Sequence, residues 1–147
     1  INQKLANAIN NIGKFLKFQI MDKTETIVQL KKLLASKKAA DLLKALKKLQ
    51  RNYFPEFGNT VVDIFEERYK RNISWEVQVE AIKIIGKQHL VKALPLLEQI
   101  VKKNMEHDMV TMEAAAAYFR IVRLNMRDVS PIIKSFGNIG FNFVEVQ

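Results

Sequence analysis

Cysteine is absent from all 147 residues, so no disulfide framework, zinc–thiolate site or thiol nucleophile can be built. That suits a cytoplasmic chain. Five glycines and three prolines are few and favour long helices over a turn-rich β fold. With two histidines, His89 and His107, metal and acid–base chemistry have little to work with. No apolar run approaches the roughly 20 residues needed to span a bilayer. No GxxxxGK[ST] or GxGxxG loop is available to cradle a phosphate. The N-terminus lacks the apolar core of a signal peptide and an initiator methionine, and the chain stops at "FNFVEVQ". A piece of a longer protein, or a chain with disordered ends, is expected.

Acidic residues are scarce in one region only. Residues 1–53 hold 12 Lys/Arg against 3 Asp/Glu, a net of +9, whereas residues 54–147 hold 12 of each. The whole formal charge of +9 therefore belongs to the first third. Such asymmetry implies an acidic protein surface, nucleic acid or an anionic membrane as partner, against the plainer reading of a solvated lysine-rich face.

What is present is apolar periodicity. With 48% hydrophobic residues, a globular core is expected. Steps of three and four predict helices over about 2–20, 24–35, 37–53, 60–72, 74–88, 93–104, 109–126 and 129–136. Leu5, Ile9, Ile12, Leu16 and Ile20 stripe the first, which "MDKTET" is expected to end, with Asp22 or Thr24 capping the next. Ser36 is expected to cap the third, whose apolar face is Ala39, Leu42, Leu46, Leu49 and Tyr53. "FPEFGN" reads as a loop, and Thr60 with Asp63 loosely resembles a capping box. The helix opened by Ser74 is apolar over much of its girth, which marks an inner helix of a layered stack.

Pro95 and Pro131, 36 residues apart, each sit where a helix should start, because a first-turn proline sacrifices no intrahelical hydrogen bond. Each follows a helix with an alanine-bearing motif, "VEAIKIIG" at 79–86 and "MEAAAAYFRIV" at 112–122. Ala114 to Ala117 permit close helix approach. Over residues 74–137 the chain resembles HEAT repeats, with Ala93, Leu94, Pro95 and Leu97 in "EAIKIIGKQHLVKALPLLEQIV" as the best-matching residues. The second unit departs from the pattern at Arg120 and Val122, where a glycine is common. The resemblance implies an all-α chain of antiparallel helix pairs stacked as a short α-solenoid, with a generic helical bundle as the alternative. One helical domain over 1–147 is expected, with basic helices over 1–53, HEAT-like pairs over 74–137 and an extended tail at 138–147.

Little here carries chemistry. Glu106, His107 and Asp108 are consecutive and share no helical face, so no metal site is expected. Glu76 and Glu80 are followed by Lys83 and Lys87, an exposed and mutually compensating stripe. No catalytic residue and no cofactor are expected, and the chain reads as a non-enzyme. The basic stripes are stronger. Lys37, Lys44, Lys47, Lys48 and Arg51 can track phosphates or an acidic surface. Arg120, Arg123 and Arg127, at i, i+3 and i+7, form a second stripe suited to forked contacts with carboxylate or phosphate.

The resulting expectation is a non-catalytic interaction module for a protein partner with an acidic surface, because solenoids work through extended surfaces. Nucleic-acid binding through the basic third is the alternative. The first helix, with Lys4, Lys14 and Lys17 around its stripe, can lie on a membrane, but packing on the second helix is the stronger expectation. Trp75 is expected in the core between the helices at 60–72 and 74–88, with an exposed partner-binding role as its rival. The tail, with Phe141 and Phe143, is expected to pack across the last helices or pair with a partner.

Overall fold

A computed structural model describes residues 2–125 and residue 130. The expectations placed on Arg127, Asp128, Pro131, the helix at 129–136 and the tail lie outside the described residues. Within them the chain is all-α: α1 (Asn2–Leu34), α2 (Ala39–Arg51), α3 (Gly58–Arg71), α4 (Trp75–Gln88), α5 (Leu94–Lys103) and α6 (Met109–Val122). Short 3-10 turns, Pro55–Phe57 and Val91–Ala93, lead into α3 and α5, and a third, Arg123–Asn125, follows α6.

Short connections fold neighbouring helices back on one another. The result is three successive pairs, α1 with α2, α3 with α4 and α5 with α6. Between pairs, α4 lies beside both α2 and α6. The inner position expected of α4 is what the structure shows: Val77, Val79, Ala81, Ile82, Ile84 and Ile85 are all buried. The pairing differs from the expected unit, however. Helix α4 packs chiefly on α3, α2 and α6, while α5 packs on α6. The three-residue connection 72–74 forces α3 against α4, whereas "HLVKA" is spent on a turn that steps the chain to the next pair.

Pro95 stands in the first turn of α5, as its chemistry requires. The same 36-residue interval joins two places the sequence did not pair. Phe57 N–H donates to Phe54 carbonyl at 3.1 Å, and Ala93 N–H donates to Leu90 carbonyl at 3.1 Å. Before the turns only ψ agrees (85° at Phe54, 86° at Leu90; φ is −127° and −77°), whereas after them both angles do, at Gly58 (φ −55°, ψ −49°) and Leu94 (φ −52°, ψ −46°). Buried Val61 and Phe65 of α3 correspond to buried Leu97 and Val101 of α5 at that interval. "FPEFGN" is thus a helix-entry turn rather than an open loop, and Phe54 and Phe57 bury their rings edge-to-face, centroids 6.3 Å apart.

Small residues set the distance between α4 and α6. Ala114, Ala115, Ala116 and Ala117 are buried, and a methyl group built on Gly86 would stand 2.9 Å from the Ala117 Cα. Here glycine is required by the approach of two backbones.

A polar knot ties the first pair to the second. Arg68, buried near the end of α3, donates through Nη2 to the Lys37 carbonyl (3.0 Å) and through Nη1 to Ser74 Oγ (3.2 Å). Its Nε stands 3.2 Å from a Glu67 carboxylate oxygen, close enough for charge attraction but without hydrogen-bond alignment. Buried Gln78 donates to the carbonyls of Ile73 (2.9 Å) and Arg68 (3.3 Å).

Several local expectations are corrected. "MDKTET" ends nothing: α1 is continuous, and Thr24 turns its hydroxyl back to the Ile20 carbonyl at 2.9 Å, so it does not cap. Ser36 donates to Asp41 and accepts from Lys38 N–H, and α2 begins at Ala39. Thr60 and Asp63 fall inside α3, which starts at Gly58. Ser74 adopts a left-handed backbone (φ 52°) and caps nothing, its hydroxyl being taken by Arg68. The side-chain cap that does form is Asp108 at α6, accepting from Thr111 N–H at 3.0 Å. Trp75 is 54% exposed although Val79 and Ile82 on its own stripe are buried, because it stands at the first residue of α4, short of the packed turns. Tyr53, expected on the apolar face of α2, lies beyond the end of that helix and is 71% exposed.

Candidate functional site

Helices α2, α4 and α6 run side by side, and their C-terminal ends open onto one groove of about 500 Å³. Its walls are Gln50 of α2, Lys83, Gly86 and Lys87 of α4, His89 just beyond α4, and Glu113, Arg120 and Arg123 around α6. A second hollow of about 330 Å³ shares Gln50, Lys87 and His89 and extends to Arg51 and Tyr53. Cations gather here for a local reason, since the last turn of a helix exposes unpaired carbonyls that favour Lys and Arg.

The groove is braced by polar contacts. Lys87 Nζ donates to the Gln50 carbonyl at 2.8 Å, and the Gln50 amide donates to the Glu80 carboxylate. Glu80 also lies 3.5 Å from Lys83 Nζ, the compensation expected of that stripe. Arg123 spreads over the Phe119 ring, 5.5 Å from its centroid. Half-burial pushes the Glu113 carboxyl above its usual range, against the lowering pull of Lys83 and Arg120. Two carboxylates, Glu80 and Glu113, thus stand among the cations, and Glu80 adds to the upward push on Glu113.

The predicted basic residues are partly brought together. Arg120 and Arg123 line this groove and Arg51 the adjoining hollow, although 69 positions separate Arg51 from Arg120. Lys47 and Lys44 lie one and two turns back from Arg51 on the exposed face of α2. Lys48 turns the other way, lining a cleft of about 660 Å³ against Phe15, Phe18 and Asp22 of α1. Lys37 sits in the α1–α2 connection, its carbonyl held by Arg68. Lys83, Lys87 and His89 were missed as site residues. Their position at the end of the same helix was the available signal, but only side-by-side packing makes them a bridge between the two predicted stripes. His89 holds a left-handed backbone (φ 53°) that closes α4, with Leu90 N–H donating to the Ile85 carbonyl at 3.0 Å.

Among the described residues no cluster of His, Asp and Glu could hold a metal ion. Asp108 is occupied as a helix cap, accepting also from the Thr111 hydroxyl at 2.6 Å. Among the same residues no helix is long and apolar enough to cross a membrane. Known protein families, curated proteins and solved structures yield no match to this chain.

Proposed function

We propose that this protein is a non-catalytic interaction module of the cytoplasm that grips an acidic segment of a protein partner in the groove between the ends of α2, α4 and α6. The carrying observation is the gathering of Lys83, Lys87, Arg120 and Arg123 from α4 and the end of α6 along one groove, with Arg51 of α2 lining the hollow beside it. Forked guanidinium groups suit carboxylates. The stacking of successive helix pairs and the 36-residue interval between the turns entering α3 and α5 support a scaffold of helix pairs, whose usual work is to present such surfaces.

The test is affinity capture of partners by wild-type protein and by Lys87→Glu/Arg123→Glu, followed by binding of the acidic segment so defined. Both side chains are exposed, so the fold should survive. Expected is an acidic protein whose affinity falls by about tenfold or more in the variant. Equal capture by both proteins would overturn the reading.

One observation favours nucleic acid as a second reading. Tyr53 stands exposed beside Arg51 at the mouth of the groove, where an aromatic ring can stack on a base. A fluorescent single strand should then bind at about 50 mM salt and weaken steeply toward about 150 mM. Charge reversal at Lys44, Lys47 and Lys48 should weaken all sequences alike. Absence of binding at the lower salt rejects this reading.

A further inference from the structure

The two carboxylates among the cations of the groove are held very differently. Glu80 receives the Gln50 amide and lies 3.5 Å from Lys83 Nζ, so its charge is answered on two sides. Glu113 makes no hydrogen bond and no ion pair among the described residues. Its place follows from the packing of α6 on α4. Glu113 and Arg120, seven positions apart, share one face of α6. Ala117 between them meets Gly86, and that contact draws the two backbones together, with Glu113 near Lys83 and Glu80 of α4. These two and Arg120 of its own helix are the charged groups that face it. From α2 the groove receives Gln50, which is neutral, and α5 turns Glu98 and Lys102 toward Tyr118 instead. Lys87, His89 and Arg123 complete the charged and titratable lining.

An acidic segment that fills this groove acts on Glu113 in three ways, all of one sign. It covers the part of the carboxyl that water still reaches, and desolvation disfavours the charged form. It brings further negative charge into the same hollow. It competes for Arg120, one of the two cations that favour the carboxylate. Half-burial already holds this carboxyl above its usual range before any ligand arrives. A proton on Glu113 relieves all three effects at once and gives the ligand an O–H donor. Glu80, answered by Gln50 and Lys83, has no such need.

We propose that the groove takes up an acidic segment together with one proton, and that Glu113 is the residue that holds it. This rests on the reading of the groove as a site for acidic segments and adds its regulation. The grip tightens as pH falls and slackens as pH rises.

The probe is a fluorescent peptide bearing several sulfotyrosines, whose sulfate esters stay ionised throughout the pH range used. His89→Asn is made in every chain compared, because an imidazole titrates in the same interval and Asn tolerates the left-handed backbone there. In that background the probe should bind about three- to tenfold more tightly at about pH 5 than at about pH 7.5, ten being the factor for a one-unit difference between the free and bound carboxyl. Glu113→Gln, neutral at every pH and nearly the same shape, should bind tightly and almost independently of pH. Calorimetry in two buffers of different ionisation enthalpy should register net proton uptake when the chain that keeps Glu113 binds, and none for Glu113→Gln. That measurement needs no substitution at Glu113, so it decides even where the variant folds poorly. The same pH dependence in both chains overturns the proposal, as does binding without proton uptake by the chain that keeps Glu113. Lys87→Glu/Arg123→Glu separates this proposal from the reading beneath it. Where that variant abolishes a binding that is indifferent to pH, the groove reading stands and the proton alone is rejected. Where it binds the probe as well as its parent, or no chain binds at all, the groove reading falls and takes this proposal with it.

Discussion

Gly86 shows how one hydrogen atom can set the spacing of two helices. Its Cα faces Ala117 so closely that an added methyl would meet the Ala117 Cα at 2.9 Å and its Cβ at 3.0 Å. Helical propensity favours alanine over glycine by about 1 kcal/mol, so alanine would be the better residue were α4 alone. Overpacking against backbone outweighs that gain, and Gly86→Ala should lower stability by about 1–3 kcal/mol in denaturant titration. Trp75 makes the opposite case. More than half exposed, it should emit near the water value, and Trp75→Ala should cost under about 1 kcal/mol rather than the several expected of a core aromatic. Glu113 adds a pH dependence. Its folded-state pKa is raised above the ordinary 4.5, chiefly by desolvation, so the folded protein holds this proton more tightly than the unfolded chain. That contribution is complete below pH 4.5 and is lost as pH rises through the folded pKa. Glu113→Gln should therefore melt progressively higher than wild type as the buffer moves from about pH 4 to neutral, and a constant difference would refute the assignment.

At the scale of elements, α1 is two things in one helix. Its C-terminal end contributes Ile27, Leu30, Leu33 and Leu34 to the core, while residues 2–21 bury nothing within one molecule. An isolated helix of that length is marginal in water, because nucleation is costly and no tertiary packing supports it. Amide exchange should show residues 5–20 with weak protection and residues 27–34 with protection approaching that of the body. Uniform protection along α1 would mean that a further contact holds the free segment. The turns at Pro55–Phe57 and Val91–Ala93 carry another lesson. Phe-Pro-Glu-Phe and Leu-Val-Lys-Ala share almost no chemistry beyond an apolar residue at each end, yet each closes the same hydrogen-bonded 3-10 turn into a helix. The apolar ends anchor the turn and the interior faces solvent, so the geometry asks little of the two residues between.

For the whole molecule, the sequence determined the class and most of the elements. Steps of three and four, with few glycines and prolines, dictated helices, and they lie where periodicity put them over α2 to α6. Pro95 fixed a helix start because only a first turn tolerates its missing N–H. Ala114 to Ala117 announced a close approach, and α4's apolar girth announced an inner position. These features are legible because each depends on a residue's own backbone chemistry or on the arc of helix that must be hidden. The tertiary structure alone decided the rest. Helix α1 runs unbroken through "MDKTET", with the Thr24 hydroxyl on the Ile20 carbonyl instead of capping a new helix. Whether the buried Val79–Ile82 stripe reached back to Trp75 depended on where along α4 its neighbours stopped. The groove depended on three helix ends arriving together, so Lys87, placed between Arg51 and Arg120, came to line both hollows while Lys83 kept its pairing with Glu80. Periodicity records how much of a helix must be covered; only packing records by what.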